Sequence, residues 1–173
     1  NEYLVSNGNT YNINTILKHK GLDTIFNQSK GNLYANKSYL DSNNTLRCVG
    51  YNETVNTDHN CDMCQKNLCK TWVIRNKIYN ELKSKCNINY YNSNNNDVLR
   101  IYVGDGSNDY CGVSKILSKN DYVFCREFKE TKGLQKKINN NPVNGNVLLW
   151  KNGKQLLECF TEVLGTSIFD DNE

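Results

Sequence analysis

Two carboxylates, Asp105 and Asp109, stand in the run Gly104-Asp105-Gly106-Ser107-Asn108-Asp109. The apolar residues Val98, Leu99, Ile101 and Val103 lead into it, and a short run of this kind suits a strand covered on both faces. Gly104 and Gly106 let the backbone turn sharply and approach a ligand closely. In an open α/β sheet, ligands bind at the carboxyl ends of strands. An acid-rich turn there suits a hard cation with oxygen ligands, Mg²⁺ in particular. The plainer alternative is a surface turn, because Gly, Asn and Asp dominate turns for backbone reasons alone. The strand before the turn and the helix after it favour the functional reading.

Three further places carry chemistry. Ser6-Asn7-Gly8-Asn9 offers a hydroxyl and backbone N–H groups just before a helix, an arrangement that binds anions. A simple helix cap by Asn9 or Thr10 is the alternative. Lys70 opens a long helix, where its charge opposes the helix dipole. That is tolerable if it faces an anion or carboxylates; otherwise it is a solvent-facing lysine. His59, Cys61, Cys64 and Cys69 could together ligate zinc. A single C-x₂-C lacks the second pair that makes such a pattern strong, so packed or redox-sensitive thiols are the competing reading.

The 173 residues suffice for one domain with a proper core. The net charge of +3 comes from 21 basic and 18 acidic residues scattered along the chain, so no nucleic-acid partner is implied. No apolar run approaches a membrane span, and no signal peptide is recognisable at Asn1-Glu2-Tyr3-Leu4-Val5. The eight cysteines sit in a chain long for a disulfide scaffold, which points to a reducing compartment, the cytoplasm. Asparagine runs at 94–96 and 139–141 read as loop insertions.

Positioning these residues takes a series of elements. A strand over 2–5 and a helix carrying Ile13, Ile16 and Leu17 open the chain. His19 is expected solvated at the end of that helix. Thr24-Ile25-Phe26 and Leu46 to Tyr51 suggest strands in an otherwise loop-like stretch. Ile74, Ile78 and Leu82 mark a helix running to Cys86. After a polar loop over 87–97 come strand, helix (Val113, Ile116, Leu117), strand (Tyr122-Val123-Phe124), helix (Leu134 to Ile138), strand (Val147 to Trp150) and helix (Leu156 to Leu164). This alternation predicts an α/β fold with a mostly parallel sheet.

These segments resemble the haloacid dehalogenase (HAD) superfamily, and within it the phosphoethanolamine/phosphocholine and pyridoxal-phosphate phosphatases. Leu4-Val5-Ser6-Asn7-Gly8-Asn9-Thr10 is similar to that group's I-S-D-[AG]-N-[ST] segment. The run from His59 to Lys70 is similar to its H-x-C-x-x-C-P-x-N-[ML]-C-K segment. Tyr102 to Cys111 is similar to its Y-[VI]-G-D-G-x-N-D-x-C segment. The resemblance implies a Rossmann-like, HAD-type sheet sandwiched by helices. It also implies an aspartyl-phosphate mechanism with Mg²⁺ acting on a small phosphorylated metabolite. By motif, Ser6 would bind phosphoryl oxygens with Asn7 and Gly8 beside it. Lys70 would offset charge, Asp105 would hold Mg²⁺, and Asp109 and Asn108 would complete that shell or orient Lys70.

Two departures qualify the resemblance. The superfamily's D-x-D-x-[TV] motif, with the nucleophilic Asp, occurs nowhere among the 173 residues. The expectation is therefore that residues 1–173 are the C-terminal part of a single core domain. Its first strand, nucleophile and cap would lie upstream, and the missing N-terminal segment would be a natural partner. A non-catalytic pseudoenzyme or metal-binding interaction domain is the alternative. A phosphorylation domain of a cation pump shares the G-D-G-x-N-D turn but not the Cys/Lys segment. The second departure is Asn7, where the group carries Asp, which weakens any case for amine-bearing substrates; Gln65 in place of Pro is a smaller change.

Overall fold

The computed structural model describes residues 1–86 and 98–165. The expected polar loop over 87–97 and the acidic tail lie outside the described residues. The chain forms two compact units, Asn1–Asn92 and Ser93–Glu173.

The first unit opens with strand β1 (Leu4–Asn9), helix α1 (Thr10–His19) and the hairpin β2 (Leu33–Leu40) and β3 (Leu46–Val49). β1 and β2 run parallel, and β2 and β3 antiparallel. Ser6 to Asn9 is thus not a free turn but the end of β1. Ser6 pairs with Ala35 and Asn9 with Asn36, so Asn7 and Gly8 are extra residues on the β1 side. This bulge re-aims side chains, as bulges do beside functional sites. β2 falls in a stretch that read as loop; pairing with β1 makes it a strand. Thr24-Ile25-Phe26, read as a strand, instead forms a tight turn in which the Ile25 and Phe26 amides both donate to the Leu22 carbonyl. Asn32 Nδ2 donates to the Ile25 carbonyl at 2.8 Å and removes it from any ladder. His19 is exposed at the end of α1, as expected.

Helix α2 (Tyr51–Thr54) precedes the cysteine loop. α3 (Lys70–Val73), a π-helical stretch (Ile74–Ile78) and α4 (Tyr79–Cys86) then follow without interruption. Val73, Ile74, Ile78, Tyr79 and Leu82 are buried along this helix, which carries the expected stripe, and Leu68 is buried just before it. Apolar residues spaced strictly by four drift around a helix of 3.6 residues per turn. The wider π turn absorbs that drift and keeps Ile78 and Leu82 on the buried face.

In the second unit, β4 (Ile101–Gly104) leads through a 3₁₀ turn (Ser107–Asp109) into α5 (Tyr110–Ile116). β5 (Tyr122–Arg126), α6 (Gly133–Asn140), β6 (Asn146–Trp150) and α7 (Gly153–Leu164) follow. The three strands are parallel in the order β4-β5-β6. β5 is the buried centre. Val123 and Cys125 pack with Val113, Leu117, Leu134 and Ile138 of the α5/α6 layer. On the other face, the Phe124 ring meets Phe160 of α7 edge-on, with centroids 4.9 Å apart. β4 departs from expectation: Leu99 and Val103 are 45% and 42% exposed, so the strand entering the acidic turn is covered on one face only. Its apolar run resembles that of a central strand, but it pairs with β5 alone among the described residues. Three of the pairings across the two sheets are parallel and one antiparallel, an α/β fold of mostly parallel strands. Among the described residues no helix is long and apolar enough to cross a membrane.

Burial also sets the alkaline limit of this fold. It pushes the Cys125 thiol up from 9.0 to about 11, with the charges of Asp109 and Asp105 adding to the shift. Tyr34, against Tyr51 in the first unit, is pushed from 10.0 to about 12, first by burial and then by Glu81. Both groups hold their protons more tightly folded than unfolded. Their contribution is complete below the unfolded values and is lost as pH rises through the folded ones. Urea midpoints are expected to stay level with respect to these groups up to about pH 9 and to fall between about pH 9 and 12. A midpoint still level at pH 11 would contradict this.

Candidate functional site

In the first unit the β1 bulge and the entry to α3 are stitched together. Asn7 Nδ2 donates to Asn67 Oδ1 at 3.1 Å and to the Leu68 carbonyl at 3.3 Å. Asn36 Nδ2 donates to the Asn7 carbonyl at 2.7 Å, and Asn36 Oδ1 accepts from the Tyr51 amide. Asn52 Nδ2 donates to the Lys66 carbonyl. Ser6, Asn7 and Lys70 are thereby held by one scaffold, with Lys70 only 6% exposed. Ser6 Oγ accepts from the Gly8 amide at 3.0 Å, which fixes the bulge. Asn9 caps α1 by accepting from the Asn12 amide, so the helix-cap reading holds for Asn9 while Ser6 lies one turn of chain before it. Asn7 must act as a donor to the Leu68 carbonyl, which a carboxylate could not do. This accounts physically for Asn at a position where Asp was expected.

Cys61, Cys64 and Cys69 converge in the same unit, their sulfurs within 4.8 Å of one another. His59 does not join them. Its Nδ1 accepts from the Cys61 amide at 3.0 Å and its Nε2 lies 3.2 Å from the Gln65 carbonyl. An Nε2–H tautomer satisfies both, so the imidazole braces the loop.

In the second unit the acidic turn is built around Asp109, which is 4% exposed. Its Oδ1 accepts from the Tyr102 hydroxyl at 2.9 Å. Its Oδ2 accepts from the Asp105 amide at 3.1 Å and the Gly106 amide at 2.9 Å. The Asp105 carboxylate is exposed, and its main-chain carbonyl accepts from the Leu134 amide at 3.0 Å. The glycines of the turn answer to crowding more than to torsion. A Cβ on Gly104 would sit 3.0–3.1 Å from Asp109 atoms, and one on Gly106 would strike Asn108 Oδ1. Gly133 is different: its φ of +60° is a left-handed conformation, and a Cβ there would collide with the Asp105 carbonyl. The turn thus gathers Asp105, Asn108 and Asp109, with one carboxylate committed to the backbone and one exposed. An exposed hard oxygen beside a rigid turn fits a divalent cation such as Mg²⁺.

Sequence reasoning missed Tyr102, Leu134, Asn36, Asn52 and Asn67. Tyr102 had a signal: it shares a strand face with Gly104 and precedes the turn by one alternation. Asn67 had one in the Asn of the segment from His59 to Lys70; Asn36 and Asn52 had none, since they stand in a chain where asparagine is everywhere.

A mostly parallel α/β fold with a Gly-Asp-Gly-x-Asn-Asp turn at a strand end is the signature of the HAD superfamily. The profile of the "Putative Phosphatase" family matches residues 1–164, and the chain belongs to that family. It is 30% identical over 167 residues to a "Thiamine phosphate phosphatase-like protein" of Arabidopsis thaliana, covering 94% of this chain and 60% of the relative. It is 28% identical to a "Probable phosphatase phospho1" of Danio rerio, covering 92% and 52%. It is 26% identical to the "Pyridoxal phosphate phosphatase PHOSPHO2" of Mus musculus, covering 89% and 57%. The chain therefore spans roughly half to three-fifths of the length of these relatives. No solved structure matches.

Proposed function

We propose that the protein serves a phosphomonoester hydrolase of the cytoplasm, acting on a small phosphorylated metabolite through an aspartyl-phosphate intermediate. The observation that carries this reading is the division of labour in the acidic turn. Asp109 spends its carboxylate on the backbone, which leaves Asp105 rigidly placed and exposed. Asp105 is the Mg²⁺ ligand, with Asn108 beside it, and Asp109 acts as the brace. The cation, when bound, neutralises charge on the phosphoryl group. Ser6 donates to phosphoryl oxygens, Lys70 offsets their charge, and Gly8 leaves room beside them. Asn7 holds Lys70's helix in place. It brings no charge for a quaternary cationic head group, so the pyridoxal phosphate of one relative's name is a better guide than a choline ester.

The nucleophile is an Asp outside these 173 residues. Its carboxylate attacks phosphorus, the ester P–O bond breaks and the leaving oxygen takes a proton from solvent to depart as the alcohol. Water then cleaves the acyl phosphate and releases phosphate. Residues 1–173 are in this reading the C-terminal part of one core domain.

The test is an assay of the complete reading frame that encodes the chain, with an aryl phosphate, pyridoxal phosphate and thiamine phosphate, with and without Mg²⁺. Phosphate release is expected to require the metal. Asp105→Asn should lower it by about 100-fold or more, the scale on which one electrostatic group acts at a reacting centre. Absence of phosphate release would replace the phosphatase with a non-catalytic member of the family, and release indifferent to the metal or to Asp105→Asn would overturn the role given to the acidic turn.

A further inference from the structure

We infer that Cys61, Cys64 and Cys69 form a structural binding site for a thiophilic divalent cation, Zn²⁺, which clamps the loop that delivers Lys70. The inference is independent of the phosphatase reading and confined to the first unit.

Three observations meet here. First, the sulfurs lie within 4.8 Å of one another. Tetrahedral zinc with Zn–S bonds of about 2.3 Å places its sulfurs about 3.8 Å apart. A contraction of an ångström or less closes the shell. Second, the backbone is already turned as ligation needs. Asn60 holds a φ of 44° just before Cys61, a left-handed conformation that asparagine tolerates. The Cys64 amide donates back to the Cys61 carbonyl at 3.5 Å, closing the C-x₂-C turn. Third, donors around the cluster suit thiolate ligands. The Trp72 amide at the start of α3 donates to Cys69 Sγ at 3.4 Å, the kind of outer contact that orients metal-bound sulfur.

The surroundings complete the case. Cys69 is buried, whereas Cys61 and Cys64 line an open cavity of about 760 Å³ with Asn52, Glu53, Asp58 and His59. A cation can therefore enter from that side. His59 is a positioning residue: its ring ties the Cys61 amide to the Gln65 carbonyl and so fixes the spacing of the two ligands it spans. Soft sulfur selects zinc over Mg²⁺, so this site and the carboxylate turn would not compete for one ion.

Metal titration of the purified protein, reduced and freed of metal with a chelator, tests this. One equivalent of Co²⁺ is expected to give a sulfur-to-metal charge-transfer band, bleached by one equivalent of Zn²⁺, with protons released as the thiols ligate. Cys61→Ser and Cys64→Ser should each weaken binding by about 100-fold or more. Cys48→Ser, on β3, should change nothing, while His59→Ala should keep the band, because its ring is not a ligand, but weaken the affinity. Wild-type protein gives a readout that does not depend on the variants folding. Zn²⁺ should shield Cys61, Cys64 and Cys69 together from alkylation, as mapped by mass spectrometry. Binding below one equivalent, a band that survives the Cys61/Cys64 double variant, or alkylation of the three thiols indifferent to Zn²⁺ would each overturn the site.

Discussion

Asp121→Ala is expected to remove about 3–5 kcal/mol of stability, the cost of breaking a buried ion pair by deleting one partner. Asp121 is fully buried. Its Oδ2 accepts from the Ser118 amide at 2.7 Å, the Ser118 hydroxyl at 2.8 Å and Arg100 Nη1 at 2.9 Å. Its Oδ1 accepts from the Arg100 amide at 3.0 Å. Its own carbonyl accepts from the Asn146 amide at 2.8 Å. One residue therefore ties together the chain just before β4, β5 and β6. Alanine would leave a nearly buried guanidinium and two amides without their acceptor. Arg100→Met is expected to cost less, because Ser118 and the Arg100 amide still serve the carboxylate. Urea unfolding of both single variants and the double variant measures the coupling. A loss under about 1 kcal/mol for Asp121→Ala would show that the ends of the sheet are held by other means.

Asp109→Ala should cost on the order of 3 kcal/mol, since three donors lose a charged, buried acceptor. Asp109→Asn should cost much less. The amide can turn its oxygen to the Asp105 and Gly106 amides and its NH₂ to the Tyr102 hydroxyl, which can accept as well as donate. The pair of variants separates a brace from a ligand. If Asp109 only braces the turn, Asn retains stability and most of the cation affinity of the acidic turn while Ala loses both. If Asp109 itself ligates, Asn retains stability but loses affinity. Amide hydrogen exchange at Asp105 and Gly106, with Mg²⁺ titration by calorimetry, reads the two properties separately.

Much of the second unit was legible because its elements keep apolar periodicity and are punctuated by glycine and asparagine. Tyr122 to Phe124, Leu134 to Ile138 and Leu156 to Leu164 all fell where expected. β2 was not legible. Asn36, Lys37 and Ser38 interrupt its alternation, and its strand character comes from pairing with β1 and β3. The strand expected at Thr24-Ile25-Phe26 failed for the converse reason: three suitable side chains, but the Ile25 carbonyl taken by Asn32 and the Thr24 carbonyl by Lys30. The candidate site was readable wherever charge and glycine spacing announce it, at Asp105, Asp109 and Lys70. The neutral residues that hold these in place were hidden by composition. Asn36 and Asn52 are ordinary letters in an asparagine-rich chain, yet each makes a specific bond near the base of α3 or the β1 bulge.

The β1 bulge also has a bearing on how the protein ages. Asn7-Gly8 is an Asn-Gly pair, the dipeptide most prone to deamidation, because the small glycine lets its own amide nitrogen attack the preceding side chain. In the fold that nitrogen already donates to Ser6 Oγ, and the Asn7 amide is anchored to Asn67 and Leu68. The bonds that shape the bulge are thus also a chemical lock. Hydrolysis of this side chain is held back while the fold persists. Each excursion to the unfolded state exposes it to an irreversible conversion to aspartate or isoaspartate. A molecule so converted presents an acceptor to the Leu68 carbonyl in place of a donor, and so refolds with its Lys70 helix less firmly moored.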